Sequence, residues 1–242
     1  MSILQRLRNC NRTLGILVDP EKLCMEDFSA FAKAMSTTTS ELKRKLQLDH
    51  IIFLIGGSTM ESINLDKWLE AFRKTTQLEL LLFPGSHYQI SENADGLLFL
   101  NLISGRNPQY LIGEQVKAAE KLRESKLEII PTAYILVDGG VETAVARVSE
   151  TKPIAQNEEE HIIDTAIAGH LMGNKLIYLE AGSGARTAVK VDIISKVVAA
   201  TNVPVIVGGG LCELKEIEER FNAGVKMVVV GTAIEQNLSW IG

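Results

Sequence analysis

The sequence predicts one α/β domain over residues 1–242, a (β/α)8 TIM barrel with its third helix reduced or missing. Three observations carry this. Eight short apolar runs recur, at 14–18, 51–55, 78–83, 96–100, 129–137, 176–179, 203–207 and 227–230. Nearly every position within a run is apolar, the pattern of strands buried on both faces and so of a parallel sheet. Stretches of helical period lie between most of them, as at 108–124, 158–171, 189–200 and 213–223, and the runs end in Gly, Asp, Asn or Pro. Eightfold alternation of buried strand and amphipathic helix is the pattern of a closed barrel, and such barrels reach this length as one domain.

Element by element, residues 1–12 mix Arg, Gln and Asn with a few apolar side chains and predict a short amphipathic helix rather than a signal peptide. Residues 84–94 are too short and polar for a covering helix, so one member of the helical ring is expected to be lost. Residues 149–160 are charged and contain proline, which predicts a surface loop entering the helix that carries His161. No linker or repeat divides the chain.

Composition narrows the function. A formal net charge of −5 argues against a nucleic-acid partner, because affinity for phosphodiesters rests on a basic surface. An anionic ligand must then be held locally, by oriented amides, a metal ion or a few basic side chains. Cys10, Cys24 and Cys212 have neither metal-ligand spacing nor a disulfide pattern, and a reducing cytoplasm is expected. No apolar stretch approaches the roughly 18–20 residues of a membrane span, so a soluble protein without stable membrane insertion is expected.

In a barrel of this kind the chemistry sits at the carboxyl ends of the strands. Glycine is dense there. After the last three runs come Ala181, Gly182, Ser183 and Gly184, then Gly208, Gly209 and Gly210, then Gly231 and Thr232. If each loop opens a helix, its amides and the helix dipole form a phosphate cradle. The plainer reading is that these glycines only make tight turns; three successive loops at this corner favour the phosphate.

Asp19, ending the first run, suits Mg²⁺ bridging a diphosphate, or a cap on the turn before Pro20. Ser58, after the second, suits a neutral ligand oxygen to that ion or a helix cap. Tyr178 and Glu180 share one side of the sixth strand. Glu180 lies at the mouth, as a general base for a hydroxyl or as a structural ion-paired carboxylate. Arg106 is a candidate for a second anionic group, such as a diphosphate, or a solvated loop residue. His50, His87, His161 and His170 show no metal-site spacing and receive no role, although His87 sits on the active-site side of the barrel. No lysine stands at a strand end for Schiff-base chemistry, and no Asp-Asp pair occurs anywhere.

With these residues placed, the chain resembles the geranylgeranylglyceryl phosphate synthases and the wider family that includes bacterial heptaprenylglyceryl phosphate synthases. The likeness runs from about residue 14 to about residue 237. It rests on Leu17-Val18-Asp19-Pro20-Glu21-Lys22, Ile55-Gly56-Gly57-Ser58-Thr59, Leu82-Phe83-Pro84-Gly85, Arg106-Asn107-Pro108 with Tyr110-Leu111-Ile112-Gly113, and Tyr178-Leu179-Glu180-Ala181-Gly182-Ser183-Gly184. Gly208-Gly209-Gly210 and Gly231-Thr232 complete it.

The resemblance implies transfer of a prenyl group, geranylgeranyl foremost, from its diphosphate to the C3 hydroxyl of sn-glycerol 1-phosphate, in ether-lipid synthesis. It implies Mg²⁺ at Asp19 and Ser58, and glycerol phosphate held by Tyr178, Leu179, Glu180, Ala181, Gly182, Ser183, Gly184, Gly209, Gly210, Gly231 and Thr232. Asp19 and Glu180 would be the catalytic pair, with Asp19 across the mouth from the phosphate cradle. A reduced third helix and a homo-oligomer are implied too, in an archaeal or a bacterial source. One departure stands out: shorter bacterial members carry a lysine where this chain has Leu17. The competing readings are a phosphosugar isomerase or cyclase, which needs a paired acid and base but no apolar groove, and a non-catalytic barrel in which Asp19 and Glu180 are structural.

Overall fold

The computed structural model describes residues 1–57 and 63–236. Its eight strands close into a parallel barrel in sequence order, with β8 paired back onto β1. They are β1 (Thr13–Val18), β2 (His50–Ile55), β3 (Glu79–Leu82), β4 (Gly96–Asn101), β5 (Glu128–Leu136), β6 (Leu176–Glu180), β7 (Val205–Gly208) and β8 (Met227–Val230). Each strand coincides with one apolar run to within two residues at either end.

Alternation along the strands divides the apolar residues into two cores. Inside the barrel lie Ile52, Leu54, Leu81, Leu98, Tyr134 and Tyr178. Ile51, Phe53, Ile55, Ile177 and Leu179 point outward against the helical layer. That is why the runs read as continuous: both faces of every strand are covered.

The helices follow from periodicity and caps. After α1 (Ile3–Asn9) come α2 (Phe28–Leu46) and α3 (Leu65–Arg73). Asn64 caps α3 by accepting the Lys67 amide, and the buried face Leu65, Trp68, Leu69 and Phe72 recurs at helical spacing. Trp68 and Phe72 stack at 4.7 Å beside Phe28, tying α3 to α2. The later helices are α4 (Glu114–Arg123), α5 (Ala144–Ser149), α6 (Glu159–Leu171), α7 (Val191–Ala200), α8 (Leu214–Asn222) and α9 (Thr232–Gln236). A π-helical turn, Gln109–Gly113, leads into α4.

The amphipathic N-terminal helix closes the bottom of the barrel. Its buried residues Ile3 and Leu7 join the interior core. The Glu128 carboxylate accepts the amides of Ile3 and Leu4, and Arg6 pairs with Glu79.

No helix lies between β3 and β4, as the polar 84–94 segment predicted. The 149–160 segment departs from the expected surface loop. Thr151 and Ile154 are buried, and Ile154 bridges in parallel to Val137. Ile154 lets the segment extend the sheet beyond β5 despite the surrounding charge.

Candidate active site

One cavity of about 420 Å³ opens at the carboxyl ends of the strands, within the range of small-ligand sites. Asp19, Tyr178, Glu180, Gly182, Ser183, Gly184, Gly209, Gly210, Gly231 and Thr232 all line it. So do Ile90, Leu97, Phe99, Ala118 and Leu122, on the side where the helix is lost. A polar end and an apolar end therefore share one space.

At the polar end, Glu180 Oε1 accepts the Gly182 amide at 2.6 Å. The side chain is 7% exposed, and burial pushes its carboxyl up to about 7, against the pull of that amide. Gly209 has φ +86°, and a Cβ there would lie 2.5 Å from the Gly182 nitrogen and 2.6 Å from Glu180 Oε1. Gly182 has φ +96°, and its Cβ would strike Thr143 Cγ2. The two glycine loops thus interlock around the carboxylate. The amides of Ser183, Gly184, Gly209 and Gly210 have no hydrogen-bond partner among the described residues, and all four residues line the cavity, an arrangement that suits an anion. Ser183 and Thr232 hydroxyls meet at 3.4 Å across it.

The cradle is built differently from the sequence expectation. Only Gly231-Thr232 runs directly into a helix, α9; α7 begins at Val191 and α8 at Leu214, several residues beyond their glycine loops. Loop amides in turn conformations, rather than three helix N-termini, make up this corner of the cavity.

Asp19 also moves. Because β1 is hydrogen-bonded to β8 in the closed ring, Asp19 adjoins the Gly231-Thr232 corner instead of standing across the mouth. Leu17 packs against Gly231 there: a Cβ on Gly231 would lie 3.3 Å from Leu17 Cβ. Asp19 makes the predicted turn cap, Oδ1 accepting the Glu21 amide at 3.0 Å, and Lys22 Nζ lies 3.9 Å from Oδ2.

The matching residues agree with a known family. The PcrB family pattern covers residues 18–240. The chain belongs to the PcrB family.

Among its relatives, the geranylgeranylglyceryl phosphate synthase of Zunongwangia profunda is 42% identical over 97% of this chain and 95% of its own. The synthase of Thermoplasma volcanium has a TM-score of 0.84 at 31% identity, over 99% of this chain and 94% of that one. That of Thermoplasma acidophilum, solved with its substrate sn-glycerol-1-phosphate, has a TM-score of 0.84 at 30% identity, with coverage of 99% and 94%. The chain is an enzyme of this family.

Not every expected PcrB-family position gathers at the cavity. Leu179 and Ala181 are fully buried in the outer core, so only their backbone can serve the site. Arg106 folds onto its own loop, donating to the carbonyls of Ile103 and Gly105, and does not line the cavity. Ser58 lies outside the described residues. Among those described, no three His, Cys, Asp or Glu side chains cluster as a metal site.

Other site residues were not singled out from sequence. Phe83 stacks on Tyr178 at 5.3 Å, and Tyr134 meets Tyr178 edge-on at 5.3 Å, making an aromatic floor. Tyr134 pairs in register with Tyr178 across β5 and β6, so inward parity was its available signal. The buried hydroxyl of Tyr178 lies beside the Glu180 carboxyl and, with the Gly182 amide, pulls against the rise that burial imposes on it. Tyr178 Oη and Glu180 Oε2 lie 2.7 and 2.9 Å from where a Gly208 Cβ would sit, so only glycine fits behind them.

Proposed function

We propose that this enzyme forms the ether bond between the C3 hydroxyl of sn-glycerol 1-phosphate and a prenyl group delivered as its diphosphate, with geranylgeranyl diphosphate the first choice of donor. The carrying observation is the cavity itself, which joins Glu180 and an amide cradle to an apolar groove left by the missing helix. The isomerase or cyclase alternative has no use for that groove. The relatives' names and the glycerol phosphate bound in the Thermoplasma acidophilum structure support the choice of reaction and acceptor.

Glycerol phosphate sits with its phosphate on the amides of Ser183, Gly184, Gly209 and Gly210, where oriented dipoles replace the scarce basic side chains. Its C3 hydroxyl faces Glu180. A carboxylate held near neutrality by burial accepts the hydroxyl proton as the oxygen attacks C1 of the prenyl chain. Phe83, Tyr134 and Tyr178 shield this centre from water, and the chain lies along Phe99, Ala118 and Leu122. Each methylene buried there contributes about 0.8 kcal/mol.

The donor set fits Mg²⁺ in the way that ion is commonly held, by one or two carboxylates together with substrate phosphates. Asp19 would hold it from the cavity rim, with Ser58 as a second oxygen, since the described residues offer no all-protein cage. When bound, the ion supplies charge neutralisation for the departing diphosphate. Work in the cytoplasm and assembly as a homo-oligomer belong to the same proposal. No described helix is long and apolar enough to cross a membrane.

The test is incubation with labelled sn-glycerol 1-phosphate, Mg²⁺ and prenyl diphosphates of several lengths. Organic-extractable label is expected. Folded protein that yields none with any donor refutes the reaction.

A further inference from the structure

The cavity is poor in positive charge. Lys22 is the only lysine or arginine among its described lining residues, and it already lies 3.9 Å from the Asp19 carboxylate. Yet the proposed donor brings a diphosphate that leaves more negative than it arrived. One other basic side chain is among the described lining residues: His87, in the segment that replaces the missing helix.

His87 is held in place. Glu114, near the start of α4, accepts its backbone amide at 2.6 Å and faces its Nδ1 at 2.8 Å. Gln109 from the π-helical turn and Lys117 bind the other carboxylate oxygen. Burial pulls the Glu114 carboxyl upward, but the donors from His87 and Gln109 outweigh it and leave it below the usual range. Glu114 is therefore a carboxylate, and a carboxylate on Nδ1 fixes the ring orientation and leaves the Nε2 edge to meet a ligand.

The segment is braced elsewhere. Gln89 ties Gly85 to the Gly57 carbonyl, and Lys121 donates to the Ile90 carbonyl. Gly56 in turn donates to the Val18 carbonyl, one residue before Asp19. Asp19, Gly57 and His87 therefore stand on three successive strand ends along one arc of the rim. The phosphate cradle occupies the other side of Asp19. The His87 side chain is 34% exposed, and Nε2 has no partner among the described residues.

We propose that His87, locked by Glu114, binds the donor's diphosphate, its Nε2–H donating to a non-bridging oxygen. This rests on the prenyl-transfer reading above. The π-helical turn and the lost helix then share a purpose: one delivers Glu114 and Gln109 to the segment that the other leaves free to reach the cavity.

The test compares wild type with His87→Ala and His87→Arg. Removing a hydrogen bond to a charged group predicts a rise of about tenfold or more in donor KM for His87→Ala, with the glycerol phosphate KM within about twofold. His87→Arg, which restores a cationic donor, is expected to recover much of the loss. Titration calorimetry with inorganic diphosphate and Mg²⁺ should show the same ranking without turnover. Unchanged donor KM and diphosphate affinity in folded His87→Ala, or equal rises in both KM values, would overturn the proposal. A wild-type enzyme that binds diphosphate through His87 but makes no ether would refute the reaction and leave the binding assignment standing.

Discussion

The Glu180 carboxylate receives the amide of Gly182, two residues along the same chain, at 2.6 Å, while Gly209 closes over both. Strand end, first glycine loop and second glycine loop are thereby one unit. The carboxylate is dry and aimed, and its pKa of about 7 follows from that burial.

The acid-base assignment predicts a pH-rate profile. If Glu180 accepts the hydroxyl proton, kcat/KM should climb with pH through about 7 and level off above it. Glu180→Gln should lower kcat by about 10² to 10⁴ and remove that limb. A variant that kept both the rate and the limb would leave Glu180 no proton to move.

Stability should respond in the opposite direction. The folded pKa of Glu180 is raised from an ordinary 4.5 to about 7, so the folded state binds the proton more tightly than the unfolded chain. That contribution is complete below about pH 4.5 and is lost as pH rises through about 7. Its size is about 3 kcal/mol. Denaturant titrations at pH 5 and 8 should show this fall in wild type and a smaller one in Glu180→Gln.

Gly209→Ala should weaken sn-glycerol 1-phosphate binding by tenfold or more, because its Cβ would press on the Gly182 nitrogen and Glu180 Oε1. Gly173→Ala is the matched control. Gly173 also has positive φ, at +98°, but nothing lies within 4 Å of its Cβ position. It should cost about 1–2 kcal/mol of stability and leave binding unchanged. Calorimetry on the pair separates backbone strain from damage to the cradle.

Asp19→Asn isolates charge from turn geometry. Asparagine can still accept the Glu21 amide and keep the turn. The melting temperature should hold while the Mg²⁺ concentration for half-maximal rate rises about tenfold. Unaltered Mg²⁺ dependence would remove Asp19 from the metal site.

Barrel closure was legible in the sequence because strands covered on both faces leave continuous apolar runs. The lost third helix was legible in the polarity of 84–94. Asp19 was placed across the mouth although a closed barrel already sets the end of β1 beside the end of β8; the strand register makes that neighbourhood explicit. Ile154 was missed because a single large apolar residue within a charged stretch carries no period. Glu180 and the glycines were readable from their place at strand ends. His87 was readable as lying on the active-site side, but not its role: its partner Glu114 is 27 residues away, and only the fold brings them to 2.8 Å.

The N-terminal helix was visible as amphipathic, but what its apolar face covers was not. Leu7, 1% exposed, fills the barrel bottom with Ile3. Leu7→Ala should destabilise the fold by about 2–5 kcal/mol, measured by denaturant unfolding, with little effect on the KM for either substrate.

The most direct test of a shared cavity for acceptor and donor is the stoichiometry of diphosphate release. With geranylgeranyl diphosphate, Mg²⁺ and sn-glycerol 1-phosphate, one diphosphate should appear per ether formed, and almost none when the acceptor is omitted. Equal release with and without acceptor, or release with no ether product, would contradict attack by a Glu180-held hydroxyl.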